Sequence, residues 1–206
     1  MLRLLAIACL ASPTSAAECV SADDLATGIV FEQQQLGRGL IQTVEGNRLR
    51  TTYTSSSSAQ GEESVALWGI YSESYHVWND GAGLATPQDW TDSFRFSVKP
   101  PLPEAGLNWS AKITRKRKGE IDGETVTDKA TEAVSFTYDA PRSVTFGSCD
   151  YAVMTVTGRF TAEGVDFIRR YAYFPDLGFG LQTRWVDNTL FEAEDTHGIT
   201  ALSPRP

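Results

Sequence analysis

Histidine, cysteine and positive charge are all scarce in this chain. Of its 206 residues only two are histidine and three cysteine, and 18 basic residues face 26 acidic ones. No apolar run approaches the roughly 20 consecutive residues that a membrane-crossing helix needs, so no transmembrane segment is expected. Two histidines and no cysteine pair at ligand spacing argue against a structural zinc site. A formal net charge of −8 repels phosphate backbones and anionic headgroups, which excludes nucleic acid as a partner. There is no Gly-x-Ser-x-Gly elbow to present a nucleophile, no internal repeat at fixed period, and no motif that calls for a cofactor.

The first residues read as an export leader. In MLRLLAIACLASPTSAAEC, Arg3 supplies the positive start, Leu4 to Leu10 an apolar core, and Ser15, Ala16 and Ala17 a small-residue cleavage site. Residues 1–17 are therefore expected to be a signal peptide that sends the protein to the periplasm, with residues 18–206 as a single soluble β-rich domain. Acylation at Cys9, after Ala6, Ile7 and Ala8, is the alternative, but it would leave a very short apolar core. Removing the leader removes Arg3, so 17 basic residues remain against 26 acidic ones, a net charge of −9. Apolar residues at 41%, of which many are aromatic, suit a packed globule and argue against disorder.

Cleavage also removes Cys9. The two remaining thiols, Cys19 and Cys149, reach an oxidising compartment with no competitor and are expected to pair. The bridge would close a loop of about 130 residues, worth roughly 5 kcal/mol if the gain is entirely unfolded-chain entropy. The other reading, Cys149 as a nucleophile, needs a base within reach. Only His76 and His197 are available, and neither sits in a recognisable motif.

Period-two alternation dominates the mature chain. Leu107, Trp109, Ala111 and Ile113 alternate with polar neighbours, as do Val134, Phe136 and Tyr138; Ala152, Met154, Val156 and Phe160 share one apolar face. Shorter runs of the same kind suggest roughly ten strands. Asn79-Asp80-Gly81, Glu45-Gly46-Asn47, Asp122-Gly123 and Gly37-Arg38-Gly39 carry hairpin-turn chemistry. Residues 54–61 read as a polar loop and residues 99–103, with three prolines, as a stiff corner. One short helix is expected from Ser21 to Gly28. The expected fold is all-β: a strongly curved antiparallel meander forming a half-open barrel, with the short N-terminal helix against it.

Candidate chemistry is sparse. Asp195-Thr196-His197 could orient an imidazole for a hydrolase, but no nucleophile accompanies it. Glu120, Asp122 and Glu124 alternate onto one face without the ligand density of a calcium loop. Arg115-Lys116-Arg117-Lys118 reads as the solvated end of a strand, with a partner-docking patch as the alternative. Residues 67–78 read as one strand with Trp68, Ile70, His76 and Trp78 on one face and Leu67, Tyr71, Tyr75 and Val77 on the other. Such a strand is either buried on both sides or lines a ligand cavity. The cavity reading makes Trp68, Tyr71, Trp78 and Trp109 the candidate ligand-binding residues.

Two stretches carry a resemblance. Tyr173-Phe174-Pro175-Asp176-Leu177-Gly178-Phe179-Gly180-Leu181 resembles the aromatic, proline and glycine turn of TapB-like and LolA-like β-rich envelope proteins. Cys19 with Ala22 to Ile29, taken with Gly147 to Tyr151, resembles uncharacterised secreted proteins of alphaproteobacteria, a group with no established activity. The LolA-like resemblance implies acyl chains held on a concave face, and hence a non-catalytic periplasmic binding module for an apolar or lipid-like ligand. The competing expectations are an envelope structural or interaction protein with a protein partner and no small ligand, and, more weakly, a hydrolase.

The thiol reading is checked by intact mass under native and reducing conditions. Mature protein should weigh about two hydrogens less than its reduced form and show no free thiol after unfolding. One titratable thiol per chain would refute the pairing.

Overall fold

The computed structural model describes residues 19–54, 60–81, 86–189 and 193–206. The expected leader lies outside these residues, as do most of the 54–61 loop and residues 82–85, which follow Gly81. Fourteen strands account for most of the chain: β1 Ile29–Gln33, β2 Gly37–Glu45, β3 Arg48–Thr54, β4 Gln60–Leu67, β5 Tyr71–Asn79, β6 Gln88–Phe96 and β7 Asn108–Ile121. The second half continues with β8 Glu124–Tyr138, β9 Arg142–Phe146, β10 Cys149–Ala162, β11 Val165–Phe174, β12 Phe179–Asp187, β13 Ala193–Thr196 and β14 Ile199–Pro204. That exceeds the roughly ten strands expected from alternation alone, in part because residues 67–78, which alternate as one strand, divide at a turn between β4 and β5.

Every described pairing is antiparallel and joins strands consecutive along the chain, apart from β8 with β10 and the β1–β14 pair that closes the sheet. β9 prolongs β8 along the same edge of β10, with Tyr138 opposite Val156 and Arg142 opposite Val153. At the other end, β13 pairs with β12 and runs through His197 and Gly198 into β14, which pairs with β1. One C-terminal segment thus bridges both edges of the meander and curls it into a nearly closed barrel. Backbone hydrogen bonds continue through the junction: the His197 N–H donates to Thr183 O at 2.7 Å, and the Gln34 N–H to Gly198 O at 2.9 Å. Gln33, only 3% exposed, pins the seam from inside. Its amide nitrogen donates to Gln182 O at 2.7 Å and His197 O at 3.2 Å, while its oxygen accepts from the Tyr53 hydroxyl.

Turn chemistry fits where φ must be positive. Asp122 and Gly123 form the two-residue β7–β8 turn at φ 52° and 75°, and Gly178 closes the Pro175 turn at φ 76°. Gly37-Arg38-Gly39 is not a turn but the start of β2. Gly39 leaves the space that the Phe31 ring fills; a Cβ there would sit 2.3 Å from Phe31 Cζ. The expected helix is a 3-10 turn, Ala22–Ala26, whose start is fixed by the Ser21 N–H donating to the Asp24 carboxylate at 2.7 Å. The Cys19–Cys149 disulfide anchors it to β10, with Cα atoms 5.6 Å apart, and the Val20 N–H donates to the Tyr151 hydroxyl at 2.9 Å.

Residues 67–78 are not one strand. Trp68, Gly69 and Ile70 form the β4–β5 turn, and this turn folds into the barrel and crosses it to β12, where the Gly180 N–H donates to Trp68 O at 2.8 Å. The approach is possible because both partners are glycine. A Cβ on Gly69, at φ 70°, would lie 2.2 Å from Gly180 O, and one on Gly180 would lie 2.8 Å from Ile70 Cγ1. Ile70 and Tyr71, 1% and 0% exposed, join the aromatic layer of Phe96, Trp109 and Phe136 at the barrel's centre. The lower barrel is thereby filled, and a second cluster around Phe31, Ile41, Phe174 and Phe179 completes the core.

This crossing predicts a graded response to added methyl groups. Gly178→Ala, in open space at positive φ, should cost about 1 kcal/mol in chemical denaturation. Gly69→Ala meets backbone as well as strain and should cost more than about 3 kcal/mol or prevent folding. Equal effects would mean that the turn does not cross the barrel.

Candidate functional site

Above the aromatic layer the barrel is hollow. Alternation along β6, β7 and β8 aims Asp92, Phe94 and Phe96, then Ile113, Arg115 and Arg117, then Glu132 and Phe136 into the interior. Phe160 of β10, Phe167, Arg169 and Tyr171 of β11, and Trp185 and Asp187 of β12 face them. Together they enclose a cavity of about 660 Å³ with Ile70 in its lining. A smaller cavity of about 170 Å³ lies beside it, lined among others by Glu62, Ser64 and Tyr75; Ser72, Arg169 and Tyr171 line both. Phe160 and Phe167 stack with centroids 4.6 Å apart and planes 8° from parallel, giving one wall a flat apolar face.

The other wall is ionic. Asp92 is only 4% exposed, and Arg117 clamps it from Nε and Nη2 at 2.9 and 2.8 Å. Arg115 lies 3.6 Å from the same carboxylate and donates to Asp128 at 2.6 Å. The Arg117 guanidinium also stacks 3.9 Å from the Trp90 ring centroid. Its hydrogen bonds to Asp92 raise its already high pKa, so this charge is permanent. Burial pushes the Glu132 carboxyl above the usual carboxylate range, although Arg115 and Arg169 pull it back. Burial and the neighbouring Glu62 likewise keep the Tyr75 hydroxyl protonated, and it donates to Glu62 at 2.6 Å.

These positions correct the reading of Arg115-Lys116-Arg117-Lys118 as a solvated strand end. Lys116 and Lys118 do face water, but Arg115 and Arg117 point into the barrel and are paired. Of the four aromatics expected to bind ligand, the structure brings three together. Trp68 meets Tyr71 edge-on at 6.0 Å, and Tyr71 meets Trp109 at 5.6 Å. All three belong to the packed layer beneath the cavity, and none lines it. Trp78 stands apart, over Gly61 and 5.1 Å from the His76 ring. The residues that do line the space, Phe94, Phe160, Phe167, Arg169 and Trp185, were not singled out. A signal for them existed: Trp90, Asp92, Phe94 and Phe96 place one carboxylate on an aromatic stripe, and Phe167, Arg169 and Tyr171 do the same for one cation.

The other candidates are dispersed. Cys149 is in the disulfide, so it is no nucleophile. His76 faces Asp89 at 2.8 Å across the β5–β6 pair on a partly exposed face, and buried His197 belongs to the closing seam. The side chain of Asp195 lies outside the described residues. Among the described residues, no three side chains of metal-ligating type cluster, Glu120, Asp122 and Glu124 included. No described helix is long and apolar enough to cross a membrane. Scans against family models, curated proteins and solved structures return no match to this chain.

The ionic wall predicts unequal consequences within one basic run. Arg117→Gln leaves a buried carboxylate with a weaker partner and should cost roughly 2 kcal/mol. Lys116→Gln and Lys118→Gln should change stability by less than about 0.5 kcal/mol. Urea denaturation of the three variants checks this, and similar values for all would place the arginines in solvent.

Proposed function

We propose that this protein is an exported, non-catalytic binding module of the periplasm that takes an apolar or lipid-like ligand into its barrel. The observation that carries the reading is the cavity of about 660 Å³, walled by Phe94, Phe160, Phe167 and Trp185 above a packed aromatic layer. Its volume falls within the range typical of small-molecule sites, and apolar walls with a few placed polar groups are their usual chemistry. The pattern around Pro175, which resembles LolA-like envelope proteins, points to the same class of ligand. The leader-like N-terminus and the Cys19–Cys149 bridge favour an oxidising compartment.

An interaction protein of the envelope, without a small ligand, is the second reading. It is favoured by Val98 and Leu102, 56% and 49% exposed on the segment between β6 and β7. A neutral apolar dye separates the two. N-phenyl-1-naphthylamine should bind the folded protein saturably at micromolar concentration, with energy transfer from tryptophan. Trp185→Phe should lower that transfer without abolishing it, because Trp68 and Trp109 remain in the layer beneath the cavity, while the dye's own emission still saturates. A flat titration of folded protein overturns the binding reading and leaves the interaction surface.

A further inference from the structure

We propose that the ligand carries an oxyanion, a carboxylate or a phosphate, on its apolar body, and that Arg169 receives it. The inference rests on the binding reading above and adds to it the chemical class of the headgroup. Three arginines face the large cavity. Arg117 is saturated by Asp92, and Arg115 is held by Asp128 and Asp92. Arg169 differs from both. Among the described residues no carboxylate lies within ion-pair distance of it, and its Nε is enclosed without a hydrogen-bond partner.

Its surroundings are apolar and fixed. Opposite Arg169 on β10 stands Gly158, which has no side chain, and the guanidinium carbon lies 5.5 Å from the Phe160 ring centroid and 5.4 Å from that of Phe167. Both cavities are lined by Arg169, so the cation stands where they meet. The other charged groups nearby do not neutralise it. Asp92 is committed to Arg117, and Asp187 accepts from the Thr189 N–H at 2.8 Å. Glu132 senses Arg169 but pairs with Arg115, whose Nε lies 4.0 Å from its carboxylate, and Tyr171 meets Arg169 only with a neutral hydroxyl. A partly buried guanidinium without a counter-charge carries an unmet desolvation cost, and an oxyanion meets it through charge-assisted hydrogen bonds. The aromatic walls beside it would take the tail.

The test displaces N-phenyl-1-naphthylamine from the mature protein with three chain-matched probes: dodecanoate, dodecyl phosphate and methyl dodecanoate, the last uncharged. At least one anion should displace the dye at about tenfold lower concentration than the ester, the difference expected of a charge-assisted pair. Whichever anion is stronger identifies the headgroup as carboxylate or phosphate. In Arg169→Gln the preference should fall to within about twofold, with the ester unaffected. Should that variant not fold, Arg169→Lys, which keeps the charge but loses the planar fork, should reduce the preference. Equal displacement by all three probes, a preference surviving both substitutions, or no displacement while the dye binds would overturn the inference. Failure of the dye itself to bind would instead overturn the binding reading beneath it.

Discussion

The close approach of Gly69 to Gly180 is the contact on which the rest of the barrel depends. A sheet of this many strands curls around more space than its own side chains fill. Here the β4–β5 turn enters that space, and the hydrogen bond from the Gly180 N–H to Trp68 O holds it against the far wall. Ile70 and Tyr71 are then buried in one apolar cluster, where Tyr71 meets the rings of Trp68, Phe96, Trp109 and Phe136 and its hydroxyl finds Tyr138 as its partner. Without the turn, the layer of Phe96, Trp109 and Phe136 would face water. With it, the lower barrel is core and the upper barrel is left as a walled cavity.

Closure depends on a second set of contacts at the seam. The C-terminal segment changes partners along its length, pairing with the last residues of β12 first and with the whole of β1 afterwards. A strand that changes partners exposes backbone groups at the change, and these would weaken the join if left unpaired. The Gln33 amide nitrogen donates from inside to the carbonyls of Gln182 and His197, and the backbone N–H groups of Gln34 and His197 donate to those of Gly198 and Thr183. The disulfide ties the N-terminal 3-10 turn to the start of β10, so Cys19 is anchored 130 positions along the chain.

The cavity is divided in character because the two sides of its wall solve burial differently. On β6 and β7 every inward charge has an opposite charge beside it, centred on Asp92, which fixes those strands in register as well as neutralising them. On β10 and β11 the inward residues are aromatic rings and one arginine that the rings support from below. A molecule in this space would meet an apolar wall on one side and a self-compensated ionic wall on the other, with Arg169 at the boundary.

Much of this was legible in the amino-acid sequence, because alternation is a local property. The apolar stripes of Trp109 to Ile113 and Val134 to Tyr138, the turn residues Asp122 and Gly123, and the curved antiparallel class all follow from neighbours along the chain, and the pairing of Cys19 with Cys149 from Cys9 lying in the leader-like stretch. What the sequence could not decide is which way a run points once the sheet closes. Trp68 to Ile70 alternate as a strand would, yet become a turn, because the glycine that receives them lies 111 residues away in β12. Arg115 and Arg117 read as solvated charges until Asp92 is brought opposite them by the β6–β7 register. Tertiary structure alone assigned Trp109 and Tyr71 to the floor and Phe160, Phe167 and Arg169 to the wall, because inside and outside of a barrel exist only after its first and last strands have met.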